Sequence, residues 1–349
     1  MTREWDNKFN SFNSYKGLMY KQWYDAILAG DFLPPIEASV DPANICNLEC
    51  KWCNGYDVQQ RNVLMTIEHL LDLVRFFKRW GVKAVCFAGG GEPTMLPRLY
   101  EAINLCGELR LPVAIITNGT LFRDALVISM AKWCRWVGVS VDSATKETFE
   151  KLKNVNLFDD VIDNIKKLVN SGCREVTYKF LLHPDNQHEV YKAIEIAHDI
   201  GCHRIHIRPV SFMNFQDHED KFDIDAIDNQ VMKGSVFENN RFKIFYVQHK
   251  FDKDLHRMFN FKKCLATPIM PIFQANGDIS ICIDRKADKS LVIGSHKDIS
   301  QIPKIWGSEK HKEVIRNIKL EECPKCTIQH CNEFIEKVFI NNEMDWEFT

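Results

Sequence analysis

The sequence predicts an α/β fold, a partial (β/α)6 TIM-like barrel with a small C-terminal domain. Three observations predict it. Between Ile36 and Pro209, short apolar runs suited to buried parallel strands alternate with amphipathic stretches of helical period. Thr66 and the glycines Gly81, Gly172 and Gly201 punctuate those stretches as a helix start and three helix stops. At 349 residues the chain is longer than one such unit, and after Val210 the pattern changes.

Residues 1–35 are rich in Lys, Asn and aromatics with weak periodicity and read as an N-terminal extension that caps the main domain. The barrel is read over 36–210, with strands near Ile36 to Val40, Ala84 to Ala88, Val113 to Thr117, Val137 to Val141, Val176 to Leu182 and Arg204 to Arg208. The first helix runs from the Thr66 cap through Ile67, Leu70, Leu71, Val74 and Phe77 to Gly81. Later helices present Val161, Ile165 and Leu168, then Val190, Ile194 and Ala197. Right-handed crossovers curl six such units into an open parallel barrel; a doubly wound sheet is the alternative. Either fold puts its ligand at the carboxyl ends of the strands. Cys46 to Cys53, Gly89 to Thr94, Thr117 to Gly119, Ser140 with Asp142, and Arg208 all fall at that end.

Residues 211–255 read as a linker, with the polar run Asp217, His218, Glu219 and Asp220. Residues 256–349 form the second domain. Its clearest feature is a hairpin from Ile272 to Cys282 in which Asn276-Gly277 supplies the positive backbone angles of a tight turn.

Apolar residues at 45% and charged residues at 26% exclude a disordered or collagenous chain. A net charge of -2 leaves no global basic field for nucleic acid or an anionic membrane. No apolar run approaches the ~20 residues of a spanning helix, and no export signal opens the sequence, so no membrane partner is expected. Thirteen cysteines are then expected in a reducing cytoplasm, where clustered thiols favour metal or redox chemistry over disulfides.

Their spacing carries the functional reading. Cys46, Cys50 and Cys53 are spaced C-x3-C-x2-C, so three thiolates can wrap one metal centre from a single loop and leave a coordination position open. Cys264 and Cys282 flank the hairpin, and Cys323, Cys326 and Cys331 follow; together they can close a second site. Cys86, Cys106, Cys134, Cys173 and Cys202 fall singly in apolar segments and read as small core residues. A zinc-stabilised, non-catalytic binding module is the competing explanation of both groups, and zinc would leave the protein colourless.

The triplet, with Trp52 before its last cysteine, resembles the cluster motif of the radical S-adenosylmethionine (radical SAM) enzymes, and Gly90-Gly91-Glu92-Pro93 is similar to that family's GGEP motif. The C-terminal part resembles the auxiliary-cluster domain of the SPASM/twitch subgroup, through a first Cys and Gly277-x4-Cys282. The resemblance implies a [4Fe–4S] cluster on Cys46, Cys50 and Cys53, S-adenosyl-L-methionine bound at its open iron, and one auxiliary [4Fe–4S] cluster. Cys264, Cys282, Cys323 and Cys326 are the first choice for the auxiliary cluster, with Cys331 as a fifth candidate for the last position. It also implies cofactor contacts from Gly90, Gly91 and Glu92, the last toward the methionine ammonium. Asn118 and Arg208 are candidates for the cofactor's polar groups, Arg208 by gripping a carboxylate. Ser140 and Asp142 suit either ribose and methionine contacts or a local capping role, and Trp52 either the cluster and adenine or the core.

The expected activity is reductive cleavage of S-adenosylmethionine and hydrogen abstraction from an organic substrate, leading to oxidation. The alternative is a redox-neutral epimerisation, rearrangement or crosslinking of a peptide or nucleic acid. An electron donor such as flavodoxin or ferredoxin is an implied partner. The substrate, whether small molecule, peptide or nucleotide, is not encoded in a motif.

Overall fold

The computed structural model describes residues 17, 19–53, 55–59, 62–210, 222–247, 258–324 and 326–340. Its centre is one mixed sheet, which among the described residues runs β10-β9-β8-β1-β2-β3-β4-β5-β6-β7. Strands β1 (Glu37–Asp41), β2 (Ala84–Phe87), β3 (Val113–Thr117), β4 (Cys134–Ser140), β5 (Val176–Leu182) and β6 (Arg204–Pro209) are parallel neighbours, in the order of the sequence. Crossover helices cover the outer face. The longest is α3 (Ile67–Trp80), after α1 (Lys21–Ala29) and the single turn α2 (Tyr56–Gln59). Thr66 Oγ1 accepts from the His69 amide at 3.2 Å, and Gly81 ends the helix at φ +103°, so both sequence punctuations act as caps. Ile67, Leu70, Leu73, Val74 and Phe77 are buried on one face of α3. Helices α4 (Leu99–Glu108), α5 (Asp124–Trp133), α6 (Lys146–Lys153), α7 (Phe158–Asn170) and α8 (Val190–Asp199) complete the layer.

The chain departs from the sequence reading in three places. The region 211–255 is not simply a linker: α9 (Ile224–Gly234) and β7 (Lys243–Tyr246) add a seventh unit, β7 being parallel to β6. The run Asp217 to Asp220 lies outside the described residues. The C-terminal hairpin, β8 (Ile272–Gln274) and β9 (Asp278–Ser280), does not form a sheet of its own: β8 pairs in parallel with β1, and β10 (Val292–Ser295) extends the edge. Only Gly277 takes positive φ, at +97°, and its amide donates to the Gln274 carbonyl at 2.9 Å. The connection is a turn closed by a left-handed glycine, not a turn with two left-handed residues.

The third departure is the N-terminal segment. Trp23, Tyr24 and Ile27 of α1 pack with Ile36, Ala266, Ile269, Cys331 and Ile335 in a second apolar cluster. The segment therefore fastens the start of the barrel to the C-terminal helix α12 (Gln329–Phe334), beyond α10 (Ile302–Ile305) and α11 (Glu309–Arg316).

Candidate functional site

At the carboxyl ends of β1 to β5 lies a cavity of about 960 Å³, counted with its open mouth. Cys46, Cys50 and Cys53 line it together with Gly89, Gly90, Gly91 and Glu92. The two loops are held together by backbone: the Gly91 amide donates to Ala43 O at 2.9 Å and the Glu92 amide to Ile45 O at 2.8 Å. That contact explains Gly91, where a Cβ would stand 2.1 Å from Ile45 O. The glycine gives closeness rather than an unusual φ, since it is not among the positive-φ residues.

The thiols face amide donors. Leu48 N lies 3.4 Å from Cys46 Sγ; Gly55 N and Gln59 Nε2 lie 3.3 Å and 3.1 Å from Cys53 Sγ. Burial pushes the Cys46 thiol up to about 12 and raises Cys50, which the nearby Lys153 ammonium partly offsets. Without a bound cation these groups are neutral thiols; a cationic iron centre supplies the charge that favours thiolate. Among the described residues, no three His, Cys, Asp or Glu side chains gather as they would around a single metal ion. The three thiols, spread along a cavity wall with N–H groups aimed at sulfur, fit a larger sulfide-bridged group.

Glu92 is buried, and its carboxylate already accepts four hydrogen bonds from the chain. Thr94 N (3.1 Å), Thr94 Oγ1 (2.7 Å) and Thr117 Oγ1 (2.6 Å) reach Oε1, and Asn118 N (2.7 Å) reaches Oε2. It therefore ties the glycine loop to the end of β3, with acceptor capacity left chiefly on Oε2. Desolvation raises its pKa, and the four donors oppose the rise. Asn118 Nδ2 donates to Asn47 Oδ1 at 2.9 Å and lies 3.9 Å from Cys46 Sγ.

Ser140, Asp142 and Trp52 also line the cavity. Asp142 sits at φ +61°, pairs with Lys153 at the end of α6, and accepts from Leu181 N at 2.7 Å, so its carboxylate is largely committed. Trp52 stacks on His183, with centroids 3.8 Å apart. Arg208 is not among the residues lining this cavity, and its electrostatic partners are Asp284 and Asp142.

Cys264, Cys282, Cys323 and Cys326 line a second, mainly apolar cavity of about 480 Å³ with Phe261, Ile281, Leu291 and Ile318. Cys331 is absent from that lining and lies in the apolar cluster around Tyr24. The hairpin that leads to Cys282 joins the β1 edge of the barrel sheet. Two residues unremarked in the sequence serve these thiols. Asn332 Nδ2 lies 3.8 Å from both Cys264 Sγ and Cys326 Sγ, while its Oδ1 accepts from Leu265 N and Ala266 N at 2.7 and 2.8 Å. Arg285 Nη1 lies 3.9 Å from Cys323 Sγ. The sites are joined by Lys286, whose ammonium contacts Asp41 at 2.7 Å and the Gly89 carbonyl at 2.9 Å. No spacing rule singles out Asn332, Arg285 or Lys286, because each is brought to Cys264, Cys323 or Asp41 from far away in sequence.

Two thiol-lined cavities on a parallel partial barrel define a radical SAM protein with an auxiliary iron–sulfur domain. The sequence comparisons agree. The model of the radical SAM superfamily matches residues 40–197, and that of the SPASM iron–sulfur cluster-binding domain matches residues 269–332. The chain belongs to the radical SAM superfamily and is one of its SPASM-domain enzymes, with a [4Fe–4S] cluster and S-adenosylmethionine as cofactors. A probable GTP 3′,8-cyclase of Saccharolobus islandicus strain M.14.25 is 29% identical over 211 residues, 58% of this chain and 68% of that protein. One from Metallosphaera sedula is 25% identical over 303 residues, 81% and 90% of the two chains. Streptococcus suis SuiB bound to its precursor peptide SuiA shares the fold with TM-score 0.67 at 18% identity, over 90% of this chain and 75% of that one. Native anSMEcpe with bound AdoMet gives 0.62 at 18% identity, over 86% and 89%. Among the described residues no helix is long and apolar enough to cross a membrane.

Proposed function

We propose that this enzyme abstracts hydrogen from a nucleotide-like organic substrate at the barrel mouth and guides the resulting radical through a redox-neutral rearrangement. The observation that carries the reading is the gathering of Cys46, Cys50 and Cys53 with the Gly89–Glu92 loop around one cavity at the strand ends. The outcome and substrate class draw support from the relatives named GTP 3′,8-cyclase, since a cyclisation moves no net electrons.

When bound, the [4Fe–4S] cluster supplies the electron that cleaves S-adenosylmethionine to a 5′-deoxyadenosyl radical. Cys46, Cys50 and Cys53 would hold that cluster, with the amides of Leu48 and Gly55 and the Gln59 amide group donating to sulfur. The cavity-lining glycine loop and Glu92 Oε2 would receive the methionine end of S-adenosylmethionine, while Asn118 orders the loop beside Cys46. Trp52 and Ser140 would bound the cofactor on the remaining sides. An external one-electron donor of the flavodoxin or ferredoxin type would reduce the first site.

Cys264, Cys282, Cys323 and Cys326 would hold one auxiliary cluster, positioned by Asn332 and Arg285. This set favours a second reading: a site closed by four thiolates suits electron transfer during a net oxidation. Product analysis separates the two. The reconstituted enzyme is supplied with S-adenosylmethionine, reductant and GTP, and the product mass and the 5′-deoxyadenosine ratio are measured. An isomeric product supports rearrangement, a product lighter by two hydrogens supports oxidation, and absence of any GTP-derived product rejects that nucleotide as substrate.

A further inference from the structure

The inner face of the barrel holds two cations that the cofactor site does not use. Lys179 of β5 stands in register with Ser140 of β4 and His206 of β6, and Arg208 stands in register with Leu181. Residues two apart on a strand share a face, so Lys179, Leu181, His206 and Arg208 form one inward patch. Tyr178, Phe180 and Leu182 alternate with them and are fully buried in the helix-covered core. Since Ser140 and Leu181 line the thiol cavity, the patch continues that cavity's wall inward.

The local sequence makes room for it. A Cβ on Gly138 of β4 would lie 2.8 Å from Lys179 Cδ, so the missing side chain lets the lysine lie across the strand. Among the described residues neither Lys179 nor Arg208 forms a side-chain hydrogen bond or ion pair. Burial, and then Arg208, lowers Lys179 to about 8; burial lowers Arg208 as well. Asp142 is already paired with Lys153, and Asp284, whose charge favours Arg208, accepts from Thr327 N and Oγ1 at 2.6 and 2.9 Å and forms no ion pair with the arginine. Two neighbouring half-buried cations repel each other, and an anion seated between them relieves that repulsion.

We propose that Lys179 and Arg208 seat a phosphoryl group of the substrate, holding its reactive part in the cavity above. The proposal rests on the reading of that cavity as the place where substrate meets the cofactor. A phosphoryl dianion matches two converging positive charges and the planar fork of Arg208, whereas a single carboxylate is satisfied by the arginine alone.

The test is titration calorimetry of the anaerobically reconstituted enzyme with inorganic pyrophosphate, and with malonate for comparison. Pyrophosphate should bind more tightly than malonate, and Lys179→Met and Arg208→Gln should each weaken it about tenfold or more. Lys179→Arg should retain most of the affinity, Arg208→Lys should lose part of it with the fork, and Lys166→Met, on the outer surface beside Asp163, should leave it unchanged. A second measurement needs no variant: pyrophosphate should slow acetylation of Lys179 by acetic anhydride, read by mass spectrometry, and malonate should not. Unweakened binding in both charge-removing variants, equal or tighter binding of malonate, or unprotected Lys179 would overturn the proposal. Cleavage of S-adenosylmethionine by the wild-type enzyme is measured in the same preparation and reports on the proposed function alone, so either reading can fail without the other.

Discussion

Lys286→Met should destabilise the fold and loosen the cofactor loop together. Lys286 follows the C-terminal hairpin, yet its ammonium sits between Asp41 at the end of β1 and the carbonyl of Gly89, with side-chain exposures of 7% for the lysine and 0% for Asp41. Methionine fills most of the space but leaves the Asp41 carboxylate buried without its counter-charge. Removing one member of such a pair costs about 3–5 kcal/mol. Loss of the donor to Gly89 adds about 0.5–1.5 kcal/mol. Against a total stability of roughly 5–15 kcal/mol, this is a large fraction. Urea unfolding followed by circular dichroism reads the first part, and S-adenosylmethionine affinity reads the second. The double variant Asp41→Asn/Lys286→Met should recover much of the stability, because the unpaired charge is gone, but not the affinity. Destabilisation below about 1 kcal/mol, outside the range for breaking a buried pair, would refute the reasoning. So would wild-type cofactor affinity in the single variant.

Three further outcomes follow from the geometry. Cys331→Ser should preserve the auxiliary-cluster spectrum while serine at Cys264, Cys282, Cys323 or Cys326 abolishes it, because only those four thiols line the second cavity; electron paramagnetic resonance of the reduced protein decides. Gly91→Ala should lower S-adenosylmethionine affinity about tenfold or more, ~1.4 kcal/mol, since its Cβ would lie 2.1 Å from Ile45 O; calorimetry checks it. His296 is held down from 6.5 to about 4, chiefly by burial, so the unfolded chain takes up a proton in that window and the folded chain does not. Its contribution is intact above pH 6.5 and falls toward pH 4, by roughly 3 kcal/mol in total, and His296→Gln should flatten that part of the stability profile measured by urea titration.

The parallel core was legible because it rests on local signals. The apolar runs of β1 to β6 and the Thr66 and Gly81 caps around α3 are written in contiguous residues. The seventh strand escaped notice because Lys-Ile-Phe-Tyr is short and half-polar. The pairing of β8 with β1 joins residues more than two hundred positions apart, a relation that no periodicity encodes. At the site, cysteine spacing revealed which thiols could act but not which four of the last five share a cavity. That choice is made by packing, which draws Cys331 toward Tyr24. Glu92 and Arg208 were visible as charged residues at strand ends. Their distant partners are set by tertiary contacts: Thr117 and Asn118 for the glutamate, whose other two donors are on nearby Thr94, and Asp284 and Asp142 for the arginine.

The most direct test of the central claim is the yield of 5′-deoxyadenosine from S-adenosylmethionine under anaerobic reduction, measured alongside iron content. Wild-type enzyme should release it and contain two [4Fe–4S] clusters. Simultaneous replacement of Cys46, Cys50 and Cys53 by Ala should abolish release and remove about half the iron, because the C-terminal site keeps its own ligands. Absence of 5′-deoxyadenosine from a protein with both clusters assembled, or unchanged release from the triple variant, would contradict the account.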